Sequence, residues 1–155
     1  MSPGSFPGVT EPIPMKVYLL LALALPLLAG CSSLASRKNP AVDFGRFQHF
    51  YVEHRITDDH GIDQLIVNDL RDRGRDASHG HLTMIPEKID VIISYEDRWT
   101  WDFKSYLIEL NIAARDARTN KLIATATHRH PGPLSKEPKK MIRKILDSFF
   151  KPARK

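Results

Sequence analysis

Two pairs of histidines are the first residues whose types and spacing could support chemistry. His79 and His81 form one pair, and His128 and His130 form another. Alternate side chains of a β-strand lie on one face, so His128 and His130 could supply two ligands to a metal ion. A zinc site needs three or four converging ligands, and the spacing fixes no third one. We therefore predict no cofactor, and expect these histidines at a solvent-exposed strand end and in a loop.

Carboxylates beside two tryptophans are the next candidate. Glu96, Asp97 and Asp102 flank Trp99 and Trp101, and paired acids beside aromatic rings are typical of sites that cleave sugars. A catalytic pair also needs a cleft in which one pKa is raised, for which a small domain has little room. These acids can instead pair with nearby basic side chains. No serine elbow, P-loop or dinucleotide fingerprint occurs, so we predict that the chain is not an enzyme.

An alternating aromatic stretch is the best candidate for a functional surface. Trp99, Trp101 and Phe103 share one face of an extended chain, with Asp102 beside them on the other face. If a helix covers the aromatic face, the rings belong to the core. If the face is uncovered, these residues form a contact surface for a partner protein, a lipid or a glycan.

The N-terminal segment is typical of a secretory signal peptide. Lys16 precedes an uninterrupted apolar run from Val17 to Ala29. That run is shorter than the roughly 20 residues that a bilayer-spanning helix needs. Because residues 1–14 contain no Lys or Arg, we expect translation to begin at Met15 and residues 1–14 to be a gene-model extension.

The sequence Leu28-Ala29-Gly30-Cys31 resembles the lipobox of bacterial lipoproteins at all four positions. The resemblance implies cleavage before Cys31, a diacylglyceryl group on its thiol and acylation of its amine. Cys31 is the only cysteine in 155 residues, so its use for attachment leaves no intramolecular disulfide. Serine rather than aspartate follows Cys31, which in such proteins implies the outer membrane, facing the periplasm.

The chain divides into a leader, an anchor and one domain. We assign residues 15–30 to the signal peptide, 31–43 to the lipidated cysteine and a polar tether, 44–150 to a single domain, and 151–155 to a basic tail. The formal net charge of +5 suits contact with anionic envelope components, or reflects only a surplus of surface lysine. Export argues against nucleic acid, which a basic chain with aromatic residues could otherwise bind.

Hydrophobic periodicity predicts an α+β domain with the order β-α-β-β-β-α. We predict strands over 47–54, 89–98, 105–115 and 121–130, and helices over 62–73 and 137–150. Residues 75–88 are expected to be a loop with room for a short strand at 82–85. A helical crossover makes the first two strands parallel, and turns make the others antiparallel. Two helices on one face of a mixed four-stranded sheet give a two-layer sandwich.

Several motifs resemble those of a family of small bacterial envelope lipoproteins of unknown function. They are the lipobox, L-R-x-R-G at Leu70–Gly74, D-V-I-I-S-Y at Asp90–Tyr95 and D-A-R-T-N-K at Asp116–Lys121. The resemblance implies a fold and a location but no activity. We therefore predict a membrane-anchored envelope lipoprotein that acts as a non-enzymatic binding or structural module. The alternative is a periplasmic lipoprotein that binds a metal ion or another small ligand.

Overall fold

The computed structural model describes residues 32–130 and 137–152. Within these ranges six strands and two α-helices follow one another: β1 (Ser33–Lys38), β2 (His49–Glu53), α1 (Ile62–Asp72), β3 (Asp76–Gly80), β4 (Val91–Asp102), β5 (Lys104–Asp116), β6 (Leu122–Arg129) and α2 (Pro138–Phe150). Short 3-10 turns lie at Phe44–Arg46 and Leu82–Met84. The proposed leader and Cys31 lie outside the described residues.

All six strands form one mixed sheet in the order β1-β6-β5-β4-β2-β3. β2 pairs in parallel with β3 and β4, whereas the other pairings are antiparallel. The predicted α+β class is confirmed, including the parallel pair across the helical crossover. The predicted number of strands is wrong, because the sheet gains one strand at each edge.

The first additional strand is β1, in the segment predicted to be a tether. Residues from Ser33 to Lys38 pair with β6 along its outer edge. The Lys38 ammonium donates to the carbonyls of Phe149 and Lys151. A strand edge offers unpaired backbone groups whatever the side chains are. A polar segment can therefore complete the sheet without any hydrophobic pattern.

The second additional strand is β3, in the segment predicted to be a loop. Residues Asp76–Gly80 pair in parallel with β2. Residues 82–84 form a 3-10 turn rather than the short strand that the sequence allows at 82–85. Gly80 has a specific reason to be glycine, because a Cβ there would lie 2.6 Å from the Tyr51 hydroxyl oxygen. The Tyr51 hydroxyl crosses this position to donate to the His81 carbonyl at 2.8 Å.

The two helices bury their apolar faces against the sheet. α1 packs on β2 and β3, α2 packs on β1, β5 and β6, and the helices contact each other. Their buried side chains are Ile62, Ile66, Val67, Leu70, Met141, Ile142, Ile145, Leu146 and Phe149. Buried Asp69 joins the helices, since it accepts from Arg73 and Arg143 at 2.7 and 3.2 Å. Both α-helices thus lie on the same face of the sheet, and neither of them covers the other face.

No helix in the described part of the chain is both long enough and apolar enough to cross a membrane.

Candidate functional site

The β4–β5 hairpin positions the aromatic stretch. The pairing register shifts between Arg98 and Trp99, which marks a β-bulge. Trp99 is partly buried and packs against the core. Its indole N–H donates to Asp97 at 2.6 Å, and its ring stacks on His60 with centroids 3.6 Å apart. Trp99 is therefore fixed in the structure.

The tip of the same hairpin is exposed. Trp101 is 73% exposed and Phe103 is 94% exposed, and their ring centroids lie 6.4 Å apart. Phe103 lies in the turn between β4 and β5 and has a φ of 56°. Bulky residues rarely adopt this left-handed backbone conformation. Of the predicted contact surface, Trp101 and Phe103 are thus free to meet a partner, whereas Trp99 is not. Asp102 ends β4, and its side chain lies outside the described residues.

Sheet register places this tip at the end where β1 begins. Ser33 pairs with Arg129, Arg129 with Glu109, and Glu109 with Arg98. The hairpin residues beyond Arg98 therefore extend past the row in which Ser33 starts its strand. The Glu109 carboxylate binds the guanidinium of Arg129 at 3.1 Å. This contact, with further attraction from Arg98, lowers the pKa of Glu109.

Two of the acids considered for sugar cleavage, Glu96 and Asp97, do not form a pair. The Asp97 carboxylate accepts from Trp99 and from Arg55, the latter at 3.1 Å. Neighbouring strand residues point to opposite faces, so Glu96 lies on the other side of the sheet. There it lines a shallow groove of about 380 Å³ with Glu53, Asn111 and Arg115. The structure thus separates these carboxylates rather than converging them on one substrate.

A different cluster gathers two histidines and an acid at the carboxyl ends of the parallel strands. His54 follows β2, His79 lies in β3, and Asp63 lies in the first turn of α1. Both Nδ1 atoms lie 2.7 Å from the same Asp63 oxygen, Oδ2. The Asp63 side chain is only 4% exposed. Burial raises the pKa of its carboxyl, but hydrogen bonds from His54, the Gln64 N–H and His79 outweigh burial and lower it.

A second polar cluster beside it serves the start of α1. The Asp58 carboxylate accepts from the Tyr95 hydroxyl at 2.6 Å and from the N–H of Ile62 at 2.7 Å. Burial raises the pKa of Asp58, but these hydrogen bonds outweigh it and hold the pKa below its ordinary value. Burial and the neighbouring Asp58 carboxylate raise the pKa of Tyr95. Asp58 thus caps the N-terminus of α1, where its carboxylate accepts from the backbone N–H groups of Ile62 and Asp63.

The histidine pair suggested by spacing lies elsewhere. His128 and His130 are buried, and His128 shares the helix-facing side of β6 with Ala124 and Ala126. The expected solvent exposure is wrong, and His128 lies on the side of β6 against which α2 packs. Two groups in the described residues bring three potential metal ligands within 4.8 Å of one another, and neither contains His128 or His130.

Sequence reasoning missed the convergence of His54, Asp63 and His79. The H-x-H spacing singled out His79 but paired it with His81, whose backbone already leaves the strand for a 3-10 turn. Because β3 was predicted as a loop, nothing placed His79 beside β2. The available signal was the position of Asp63, directly after a predicted helix start and close to a predicted strand end.

Comparison with known proteins bears on the fold. No protein-family model and no curated protein matches the chain. Among solved structures, it is similar to the PelC dodecamer from Paraburkholderia phytofirmans, with 16% identity and a TM-score of 0.56 over 81% of this chain and 100% of that chain. A point variant of that PelC is similar at 18% identity and a TM-score of 0.54 over the same shares. At this identity the likeness shows a common fold alone.

Proposed function

We propose that the chain is an envelope lipoprotein, anchored to the outer membrane through acylated Cys31, with a non-enzymatic binding or structural role. The lipobox supports the anchor. The observation that carries the proposal is the exposed pair Trp101 and Phe103, at the end of the sheet where β1 starts. Two residues of chain span at most about 7 Å, so an anchor at Cys31 holds this end of the domain close to the membrane surface.

The chemistry of the tip fits an interface between water and lipid. Indole rings are enriched at membrane–water interfaces, where an apolar ring and a polar N–H are both satisfied. Exposed Arg98 and Lys104 flank the tip. A Lys or Arg side chain near anionic headgroups contributes about 1 kcal/mol to the free energy of membrane binding. A lipid chain and an aromatic tip together would fix the orientation of the domain. That orientation would present the sheet face opposite the two helices to envelope partners.

Replacing the proposed lipid attachment site tests the anchor. We expect Cys31→Ala to abolish lipidation and leave an unprocessed precursor, whereas Ser32→Ala is processed normally. Intact mass spectrometry of the membrane fraction distinguishes the two. An unchanged mass and unchanged processing in Cys31→Ala would contradict the proposed anchor.

A photo-reactive side chain at the tip tests what it contacts. Benzoylphenylalanine in place of Phe103 is a close aromatic match, and in place of exposed Met84 it is the matched control. After illumination in cells, we expect a lipid-sized mass adduct at position 103 and none at position 84. A protein-sized adduct at position 103 would instead identify a protein partner and overturn the membrane contact. An adduct between two copies of this chain would show that it assembles with itself, as PelC does in its dodecameric structures.

A further inference from the structure

The cluster of His54, Asp63 and His79 is built from three elements and has no role in the proposed anchoring. We propose that these three side chains form a binding site for a divalent transition-metal ion of the zinc class. His54 Nδ1, His79 Nδ1 and a carboxylate oxygen of Asp63 supply three ligands, and water supplies the rest. The site lies at the carboxyl ends of β2 and β3, a place where α/β sheets commonly bind ligands.

The distances suit an ion of this size. Both Nδ1 atoms point at Asp63 Oδ2 from 2.7 Å, and the three ligand atoms lie within 4.8 Å of one another. Ligands bound tetrahedrally at about 2.0–2.1 Å lie roughly 3.3 Å apart. Small side-chain rotations are therefore enough to convert two hydrogen bonds into three metal bonds.

The charge around Asp63 also favours a cation. Buried Asp69 pairs with Arg73 and Arg143. Within residues 32–130 and 137–152, buried Asp63 forms ion pairs with the imidazoles of His54 and His79, and no Lys or Arg pairs with it. A buried carboxylate is costly unless a positive charge accompanies it. A dication between the three side chains would supply that charge without requiring either histidine to be protonated.

The donor set selects among metals, and its surroundings leave room for entry. Two imidazole nitrogens and one carboxylate suit zinc and its transition-metal neighbours, whereas magnesium and calcium prefer oxygen ligands alone. Both imidazoles are partly exposed while Asp63 is buried, so the ion can approach from the solvent side. The rival group of Asp58, His60 and Asp97 is less suitable, because its carboxylates already accept hydrogen bonds from Tyr95, Trp99 and Arg55.

Calorimetric titration with zinc chloride tests the site. The full chain is purified in detergent without a polyhistidine tag, and every sample carries Cys31→Ala so that no thiol competes. We expect one zinc per chain. His54→Ala and His79→Ala should each weaken zinc affinity by at least about 100-fold, because loss of a ligand exceeds the effect of losing an outer-shell partner. His60→Ala, the matched control from the rival group, should bind as the parent does.

Thermal melting separates loss of the site from loss of the fold. We expect zinc to raise the melting temperature of the parent and of His60→Ala, because a ligand that binds the folded state stabilises it. The two site variants should melt cooperatively without zinc and show no such rise. Absence of stoichiometric zinc binding by the parent would overturn the proposal. Zinc binding that is unchanged in both His54→Ala and His79→Ala would also overturn it, as would loss of zinc binding in His60→Ala.

Discussion

Trp99 and Trp101 lie two residues apart on β4, yet one is fixed and the other is exposed. Trp99 stacks on His60 and donates to Asp97, whereas Trp101 projects beyond the core beside Phe103. The alternation of strand side chains assigns both rings to one face. Burial is decided by where the cover over that face ends. The loop that carries His60 covers Trp99. The hairpin extends beyond this loop, so Trp101 remains exposed to solvent.

The largest loss of stability is expected from a substitution of an aromatic residue inside the core. Phe149 is fully buried and lies 5.4 Å from the Phe44 ring. We expect Phe149→Ala to lower the free energy of unfolding by about 3–5 kcal/mol, because it leaves a cavity. Urea denaturation measures the change, with Phe103→Ala as the exposed aromatic control. Equal midpoints for the two variants would mean that α2 does not pack on the sheet.

Trp99→Ala should have an intermediate effect. It removes a half-buried indole, its stacking on His60 and its hydrogen bond to Asp97, for a loss of about 2 kcal/mol in the free energy of unfolding. Trp99→Phe keeps part of the apolar area and should recover some of that loss. Denaturation curves of both variants check the order. A loss no larger than that of Trp101→Ala would erase the distinction between the two tryptophans.

The opposite end of β4 gives a smaller, pH-dependent effect. Asp90 Oδ2 accepts from the N–H groups of Gln48 and His49 at 2.9 and 3.0 Å, which ties the start of β4 to β2. Burial raises the pKa of Asp90, but these hydrogen bonds and the His49 side chain outweigh it and lower the pKa. The ionised carboxylate thus stabilises the folded state above the unfolded-state pKa of about 3.9, and this contribution is lost as pH falls through the lower folded-state value.

Asp90→Asn should therefore be less stable than the parent at neutral pH. The two melting temperatures should converge as pH falls below about 4. Asp59→Asn, at an exposed acid in a loop, is the control and should follow the parent. A difference between parent and Asp90→Asn that persists unchanged in acid would show that the carboxylate charge does not hold this end of β4.

The smallest effect is expected at the tip. Trp101 makes its ring contact with Phe103, which is itself exposed. We expect Trp101→Ala to change the free energy of unfolding by no more than about 0.5 kcal/mol, as at most surface positions. Thermal melting checks this value beside Trp99→Ala. A drop of several kcal/mol would make Trp101 part of the core and remove the proposed contact surface.

The parts of the fold that hydrophobic periodicity controls were predictable from sequence. Both helices and the β4, β5 and β6 strands lie close to their predicted ranges, because each buries a regular apolar face. The edge strands β1 and β3 were not predictable in this way. Their residues are largely polar, and hydrogen bonding to a neighbouring strand creates them.

The candidate sites show the same limit. The aromatic stretch was visible because its residues are adjacent, but its division into fixed and exposed halves depends on the loop that carries His60. The cluster around Asp63 was invisible because it requires β3 to lie beside β2. Convergence of distant residues depends on strand order, and no local pattern reports strand order.

Lipid quenching of a single tryptophan shows whether the tip of the β4–β5 hairpin enters the bilayer. The chain contains two tryptophans, so Trp99→Phe leaves Trp101 as the reporter and Trp101→Phe leaves Trp99. Each protein is purified from membranes in detergent and reconstituted into vesicles of phosphatidylethanolamine and phosphatidylglycerol, with or without brominated acyl chains. We expect brominated lipid to quench Trp101 emission strongly and to leave Trp99 emission nearly unchanged. Trp101 emission that brominated lipid does not quench, and that aqueous acrylamide quenches freely, would contradict a membrane contact at the tip.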